Sequence, residues 1–110
     1  MIVENAKVTS TQVGPGVSRK ILASGGKLMA VEVSFQKGAV GAVHSHPHEQ
    51  VSYVLKGSFE FDLEGQKAVI RAGDTYYVSP GLNHGVVALE DGMLLDIFTP
   101  QREDFLKQEK

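Results

Sequence analysis

Histidine is the residue type whose placement in this sequence most clearly suggests chemistry. Three of the four histidines, His44, His46 and His48, fall within five residues. Neutral imidazole is the commonest metal ligand in proteins, but a ligand set binds an ion only if its side chains converge. Residues two apart on an extended strand point to the same side, so His44 and His46 share a face. Gln50 joins them if the alternation resumes after Pro47. The spacing therefore favours a metal site.

Two neighbours of this cluster have to be interpreted separately. His48 has the parity of the ligands, but it follows Pro47, which we expect to bend the strand. His48 then lies at the rim of the site, orients a ligand from behind, or is a solvated loop residue. Glu49 has the opposite parity to Gln50, and we predict that it is structural rather than a ligand.

A carboxylate in an apolar strand forms the centre of a second constellation. Asp96 interrupts the apolar run 94–98, where an unpaired charge would be costly to bury. Phe98 shares the face of Asp96, and Arg102 follows the strand. One interpretation is a buried salt bridge between Asp96 and Arg102 that holds the C-terminal helix. The other joins a general acid or base, a stacking platform and a carboxylate clamp in one pocket.

The elements that must position these residues are predicted to be β-strands. Glycines interrupt the chain at short intervals, and apolar residues between them alternate with period two. Phe59, Phe61 and Leu63, for example, alternate with polar residues, as in a half-exposed antiparallel strand. Only the end is predicted to be helical, with Thr99 as cap and Pro100 at the first helical position. The pattern predicts an all-β sandwich or barrel with a short C-terminal helix.

Composition limits the classes of function. The 110 residues form one domain of ordinary size, 1–110, with a formal net charge of -2 and no cysteine. The charge excludes a basic surface for nucleic acid and a polybasic membrane anchor, and the lack of cysteine excludes thiolate metal sites. The start of the chain lacks the pattern of a signal peptide, and no stretch approaches the ~20 apolar residues of a membrane span. We therefore expect a cytoplasmic protein.

Two spaced motifs in the sequence resemble those of the cupins. The first comprises Gly38, His44, His46, Gln50 and Gly57, and the second comprises Gly73, Ser79, Gly81 and His84. Gln50 stands where a glutamate is usual, Ser79 where a proline is usual, and Ala88 where an asparagine is usual. The resemblance implies a double-stranded β-helix, which is a small jelly-roll barrel, with a metal-binding core over about residues 26–99.

The resemblance also implies a ligand set of His44, His46, Gln50 and His84 for one divalent ion. Three imidazoles and an amide suit Ni, Zn, Fe, Mn or Co, and the affinity order does not choose among them. The neutral amide leaves the ion's full charge uncompensated, so the ion would be a stronger Lewis acid than with a glutamate ligand. The alternative is that the histidines are hydrogen-bonded barrel residues without a metal.

Residues 44–50 and 96–105 together resemble the pectin-degradation cupins, which open the ring of 4,5-unsaturated uronate monosaccharides to the linear keto form. This resemblance implies an isomerase acting on a small carboxylated sugar, with Asp96, Phe98 and Arg102 as catalytic or substrate-binding positions. A metal-dependent dioxygenase and a non-catalytic cupin that binds sugar acids are the alternatives. Similar small cupins are often homodimers, so we expect a two-fold dimer, with segment 3–20 as a candidate for crossing to the partner.

Overall fold

The structure is a computed structural model that describes residues 1–108, and it consists mainly of β-strands. The strands are β1 Thr11–Gly14, β2 Val17–Gly25, β3 Leu28–Phe35, β4 Val40–His44, β5 Glu49–Lys56, β6 Ser58–Leu63, β7 Gln66–Arg71, β8 Thr75–Val78, β9 His84–Ala88 and β10 Gly92–Thr99. A short 3-10 helix, Asn5–Lys7, precedes them, and helix α1, Glu103–Gln108, follows them. None of the helices within 1–108 is long and apolar enough to cross a membrane.

Within the described residues the strands form two antiparallel sheets. The larger sheet has the order β1-β2-β3-β10-β5-β8, and the smaller has the order β4-β9-β6-β7. Strand β5 shows how a sheet presents one face to the interior: Gln50, Ser52 and Val54 are buried, while the residues between them are exposed. The predicted all-β fold with a short C-terminal helix is confirmed.

The core contains residues from the inner faces of both sheets. Its members are Val17, Phe35, Val54, Phe59, Phe61, Val78, Val86, Ala88 and Leu94. The rings of Phe35 and Phe59 meet edge to face with centroids 5.2 Å apart, a favourable aromatic geometry. A second cluster of Met29, Val31 and Phe98 packs against Phe105 and Leu106 of α1. This second cluster fixes the helix next to β10 and so determines where Arg102 lies.

A glycine from the first motif allows one turn to pass close to another strand. Gly57, between β5 and β6, has φ +80, which side-chain-bearing residues rarely adopt. A Cβ atom at this position would lie only 2.5 Å from the carbonyl oxygen of Asp91. The motif glycine is therefore required both by backbone conformation and by space.

The predicted start of the C-terminal helix is wrong. Thr99 is the last residue of β10 and is paired with Glu49 of β5, whereas α1 begins at Glu103. Pairing in the sheet keeps the backbone of Thr99 extended, so tertiary structure overrides the local capping signal. At the other end of the chain, segment 3–20 contains β1, which pairs with β2 of its own chain.

Candidate metal centre and adjoining pocket

Three histidines, of which His84 is distant from the other two in sequence, meet at one point. His44 ends β4, His84 begins β9, and the two residues are directly paired across these strands. His46 lies in the connection that leads to β5. One ring nitrogen from each histidine lies within 4.8 Å of the others. Gln50, near the start of β5, places its Oε1 3.0 Å from His46 Nε2. The structure thus brings all four predicted ligands together.

Backbone carbonyls orient each of the three rings. The contacts run from His44 Nδ1 to the oxygen of Ala42 at 2.9 Å, from His46 Nδ1 to that of His48 at 3.1 Å, and from His84 Nδ1 to that of Leu82 at 3.0 Å. A carbonyl oxygen can only accept, so each Nδ1 carries the hydrogen and donates it. In a neutral ring this leaves Nε2 with a free lone pair, which is the form that binds metal ions.

The buried lone pairs of this cluster fit a divalent cation better than a hydrogen-bond network. His84 Nε2 is buried and has no hydrogen-bond partner among the described residues. His46 has already placed its single hydrogen on Nδ1, so its Nε2 and the Gln50 oxygen are two acceptors facing each other. Burial lowers the pKa of His46 to about 4 and also lowers the pKa of His84, which disfavours a second ring proton at neutral pH. A positive ion satisfies these lone pairs, and imidazole with amide oxygen suits a transition metal.

His48 and Glu49 take the supporting positions considered above. The carbonyl of His48 orients His46, and the His48 ring is half-buried behind it, with Nε2 3.2 Å from the carbonyl oxygen of Gln101. His48 therefore lies in the loop before β5, as one alternative expected, but its side chain is half-buried rather than fully solvated. Glu49 is exposed and accepts a hydrogen bond from the Tyr77 hydroxyl at 2.7 Å, so it faces away from the cluster as its parity predicts.

A cavity of about 550 Å³ adjoins the histidines. Six of the seven predicted ligand and catalytic residues border it: His44, Gln50, His84, Asp96, Phe98 and Arg102. Much of the remaining wall is apolar and comes from the interior faces of both sheets. A few polar groups converging in a mostly apolar pocket are typical of sites for small molecules.

Asp96 is a carboxyl group with unusual proton affinity in this cavity. Its Oδ1 accepts a hydrogen bond of 2.6 Å from the Ser52 hydroxyl. Burial raises the pKa of Asp96 to about 6, while the Ser52 hydrogen bond and the charge of Arg102 act in the opposite direction. A carboxyl that titrates close to neutral pH can both take up and release a proton, as general acid–base chemistry requires.

Arg102 is held by a different partner from the one that the salt-bridge interpretation assumed. Its Nε and Nη2 donate to the two carboxylate oxygens of Asp104 at 3.1 and 2.9 Å. Asp104 and not Asp96 is its ion-pair partner within residues 1–108. The guanidinium lies 4.0 Å from the ring centroid of Phe105 and 5.1 Å from that of Phe98. The side chain is thus fixed at the cavity wall, and its Nη1 makes neither of the two hydrogen bonds to Asp104.

Some residues of this site were not predicted. Ser52 is completely buried between Gln50 and Asp96. The available signal was that it shares the parity of Gln50 and is a polar residue among buried positions of β5. Tyr76 also borders the cavity, and burial and the charge of Asp96 raise its pKa, so it remains a neutral phenol. Arg19 borders the cavity as well, and no local pattern marks it.

Similarity to known proteins agrees with this geometry. Residues 31–98 match the family model described as Cupin domain. The chain is 46% identical over 97 residues to the pectin degradation protein KdgF of Dickeya dadantii (strain 3937), covering 86% of this chain and 88% of that protein. It is similar to the structure of KdgF from Halomonas sp., with a TM-score of 0.91, 42% identity, and coverage of 96% and 97%. An RmlC-like cupin from Shewanella frigidimarina NCIMB 400 matches with a TM-score of 0.91, 41% identity and 94% coverage of each chain.

Proposed function

This chain belongs to the cupin domain family, and we propose that it opens the ring of 4,5-unsaturated uronate monosaccharides to the linear keto form with the help of a divalent metal ion. The observation that carries the proposal is the junction of a histidine–glutamine donor set and Asp96 in one cavity. Pectin is a polymer of uronic acids, so similarity to a pectin degradation protein supports this substrate class. We propose the cytoplasm, expected from the sequence, as the place of action.

The reaction needs a proton to move between two atoms of the same substrate. In the cyclic form, the ring oxygen joins the anomeric carbon to the alkene carbon that carries the carboxylate. Loss of the anomeric hydroxyl proton forms an aldehyde and breaks the bond from the anomeric carbon to the ring oxygen. The electron pair becomes an enolate, and protonation of the neighbouring alkene carbon gives the ketone. Nothing is oxidised or reduced, and Asp96 is the group proposed to take the proton and return it.

The other residues of the cavity bind and orient the substrate. An ion held by His44, His46, Gln50 and His84 would supply Lewis-acid stabilisation of negative oxygens. Arg102 is proposed to bind the substrate carboxylate through the part of its guanidinium that Asp104 leaves free. Phe98 is buried next to Arg102 and His46, and its ring provides an apolar wall for a sugar ring.

The first prediction is direct acceleration of ring opening. Added to freshly formed unsaturated uronate, the metal-loaded protein should speed the loss of alkene absorbance above the spontaneous rate. The same protein stripped of metal by a chelator is the control. Oxygen consumption with an altered product would favour the dioxygenase alternative. Saturable binding of the sugar acid without acceleration would favour the non-catalytic one.

An exposed apolar face supports the proposed homodimer. Large apolar residues alternate outward on the larger sheet: Val51, Tyr53, Leu55 and Tyr77 are 46%, 44%, 42% and 50% exposed. On β10, Leu95 and Ile97 are paired with Tyr53 and Val51 and extend the same face. A flat apolar patch that meets its own copy about a two-fold axis forms a self-complementary interface. We therefore propose this face for the dimer, while crossing of segment 3–20 stays a prediction.

The second prediction concerns this face. Sedimentation velocity at micromolar concentration should give the mass of a dimer for the parent protein, and Tyr53→Glu should shift it to a monomer because it places charge at the centre of the contact. Val69→Glu is the matched control, since Val69 is an equally exposed apolar residue (47%) on the other sheet. A monomeric parent would remove the homodimer proposal.

A further inference from the structure

A chain of two hydrogen bonds connects the candidate metal centre to the candidate acid–base group. Gln50 Nε2 donates to Ser52 Oγ at 2.9 Å, and Ser52 Oγ donates to Asp96 Oδ1 at 2.6 Å. Gln50 is 4% exposed and Ser52 is fully buried, so solvent does not replace either bond. The strand register explains the connection, because Asp96 lies directly opposite Ser52 in the β10–β5 ladder.

The donor and acceptor properties of Gln50, Ser52 and Asp96 determine which atom donates in each of these two hydrogen bonds. An amide nitrogen only donates, an ionised carboxylate only accepts, and a hydroxyl has one proton to give. With Gln50 Nε2 directed at Ser52, the amide oxygen is the atom that faces His46. Rotating the amide by half a turn would place its oxygen against Ser52, whose only proton is already given to Asp96. These hydrogen bonds favour the orientation in which the amide oxygen of Gln50 faces the histidines, where a cation would be bound by both the oxygen and His46 Nε2. The hydroxyl of Tyr76, which also hydrogen-bonds with Ser52 and Gln50, is a fourth member of the network.

We propose that Ser52 is a positioning residue that couples the amide of Gln50 to the carboxylate of Asp96. It holds the Gln50 oxygen toward the candidate ion and holds one oxygen of Asp96 in place beside the cavity. This role rests on the proposed function for its effect on rate, although the hydrogen-bond coupling itself does not need a substrate.

The coupling also accounts for the departure from the usual cupin motif at position 50. A glutamate there would present only acceptors, so a single Ser52 proton would have to serve two carboxylates. An amide supplies the missing donor and leaves the Ser52 proton for Asp96. Ser52 thus joins Gln50 and Asp96, the two residues that distinguish this site, in one unit.

The test begins with the Gln50 side-chain amide, which needs neither metal nor substrate. In the parent protein, NMR should show the Gln50 amide protons exchanging slowly with solvent. Ser52→Ala should speed this exchange by at least ~10-fold, the factor that corresponds to loss of about 1.4 kcal/mol of protection.

Two further variants serve as controls for this exchange measurement. Ser52→Thr, which keeps the hydroxyl, should restore slow exchange. Ser58→Ala, which removes a surface hydroxyl bond to Glu90, should leave it unchanged. Unchanged exchange in Ser52→Ala would overturn the inference.

Metal affinity and turnover form the second part of the test. Titration with Co²⁺ followed by its visible spectrum should show affinity lowered ~10–100-fold in Ser52→Ala, as for other groups that orient a ligand. The ring-opening rate should fall with it, and Ser52→Thr should recover both. If Ser52→Ala does not fold, Ser52→Cys keeps its volume but hydrogen-bonds weakly, and it should show the same changes.

The two parts separate the inference from the proposed function. If the parent protein shows no uronate turnover but the exchange of its Gln50 amide protons depends on Ser52, the proposed function is wrong and the coupling is supported. A parent with turnover whose Ser52→Ala and Ser52→Cys variants keep amide protection, Co²⁺ affinity and rate would end the coupling alone.

Discussion

Asp96→Asn should slow uronate ring opening by ~10²–10⁴-fold, because general acid–base groups contribute rate factors of this size. Asparagine keeps the shape of the side chain and an oxygen that can accept from Ser52, so fold and metal content should be retained. The measurement is the rate of alkene loss at equal metal occupancy. In the parent, the rate should also fall as the pH drops through about 6, where Asp96 becomes protonated and can no longer take the hydroxyl proton.

Asp91→Asn is the matched control for this experiment. Asp91 is exposed and caps a backbone amide at Lys37, away from the cavity, so its substitution should leave the rate unchanged. An undiminished rate in Asp96→Asn, at full metal content, would contradict the catalytic role of Asp96.

Stability measurements on the same variant distinguish catalysis from a structural role. The pKa of Asp96 is about 6 in the fold, whereas the pKa of an aspartate in the unfolded chain is about 4. Between these values the unfolded chain has already lost the proton that the fold still holds, so the free energy of unfolding falls as the pH rises through this window. Asparagine does not ionise, so Asp96→Asn avoids this decrease in the free energy of unfolding. The melting temperature of the variant at pH 7 should equal or exceed that of the parent. A clear decrease would instead support a stabilising charge pair.

His84→Ala should remove the ion. The parent, purified without a histidine tag, should contain close to one divalent ion per chain by metal analysis. Loss of one of four ligands should weaken binding by more than the ~10–100-fold typical of losing a supporting group, and ring opening should fall to the spontaneous rate. The buried, unpaired Nε2 of His84 is the physical reason to choose this residue.

His48→Gln is the control for the histidine cluster. The backbone carbonyl of residue 48, which orients His46, is unchanged by this substitution, so the ion should be kept. A full ion content in His84→Ala, or a loss that follows Glu49→Gln instead, would show that the ligand set has been assigned wrongly.

The sequence could predict those features that depend on alternation along one strand. Phe59 and Phe61 are buried as their period-two pattern predicts, and in β5 Gln50 is buried while Glu49 is exposed, as their opposite parity predicts. These relations are local, so the geometry of an extended chain is sufficient to derive them. The family motif supplied His84. His44, His46 and Gln50 meet it through the connection between the two sheets, because His44 ends β4 and His46 lies outside the strands.

Features that depend on the pairing of distant segments could not be predicted in this way. The position of Ser52 opposite Asp96 follows from the register of β5 against β10, which single-strand patterns do not contain. Arg102 binds Asp104, two residues away at the start of α1, because the chain leaves the sheet there and strand parity no longer applies. Thr99 remained in β10 for a related reason, since its partner Glu49 lies in another strand.

The three backbone carbonyls that hold the histidine rings have a consequence for how the protein acquires its ion in a cell. These contacts come from the protein's own backbone, so they orient the rings and select the tautomer without the help of an ion. Three imidazoles and an amide oxygen are donors that suit several divalent metals, so metal availability contributes to which ion is bound. The metal carried should therefore reflect the supply in the host: the same polypeptide produced in media enriched in nickel, zinc or manganese should be isolated with different ions and one unchanged fold.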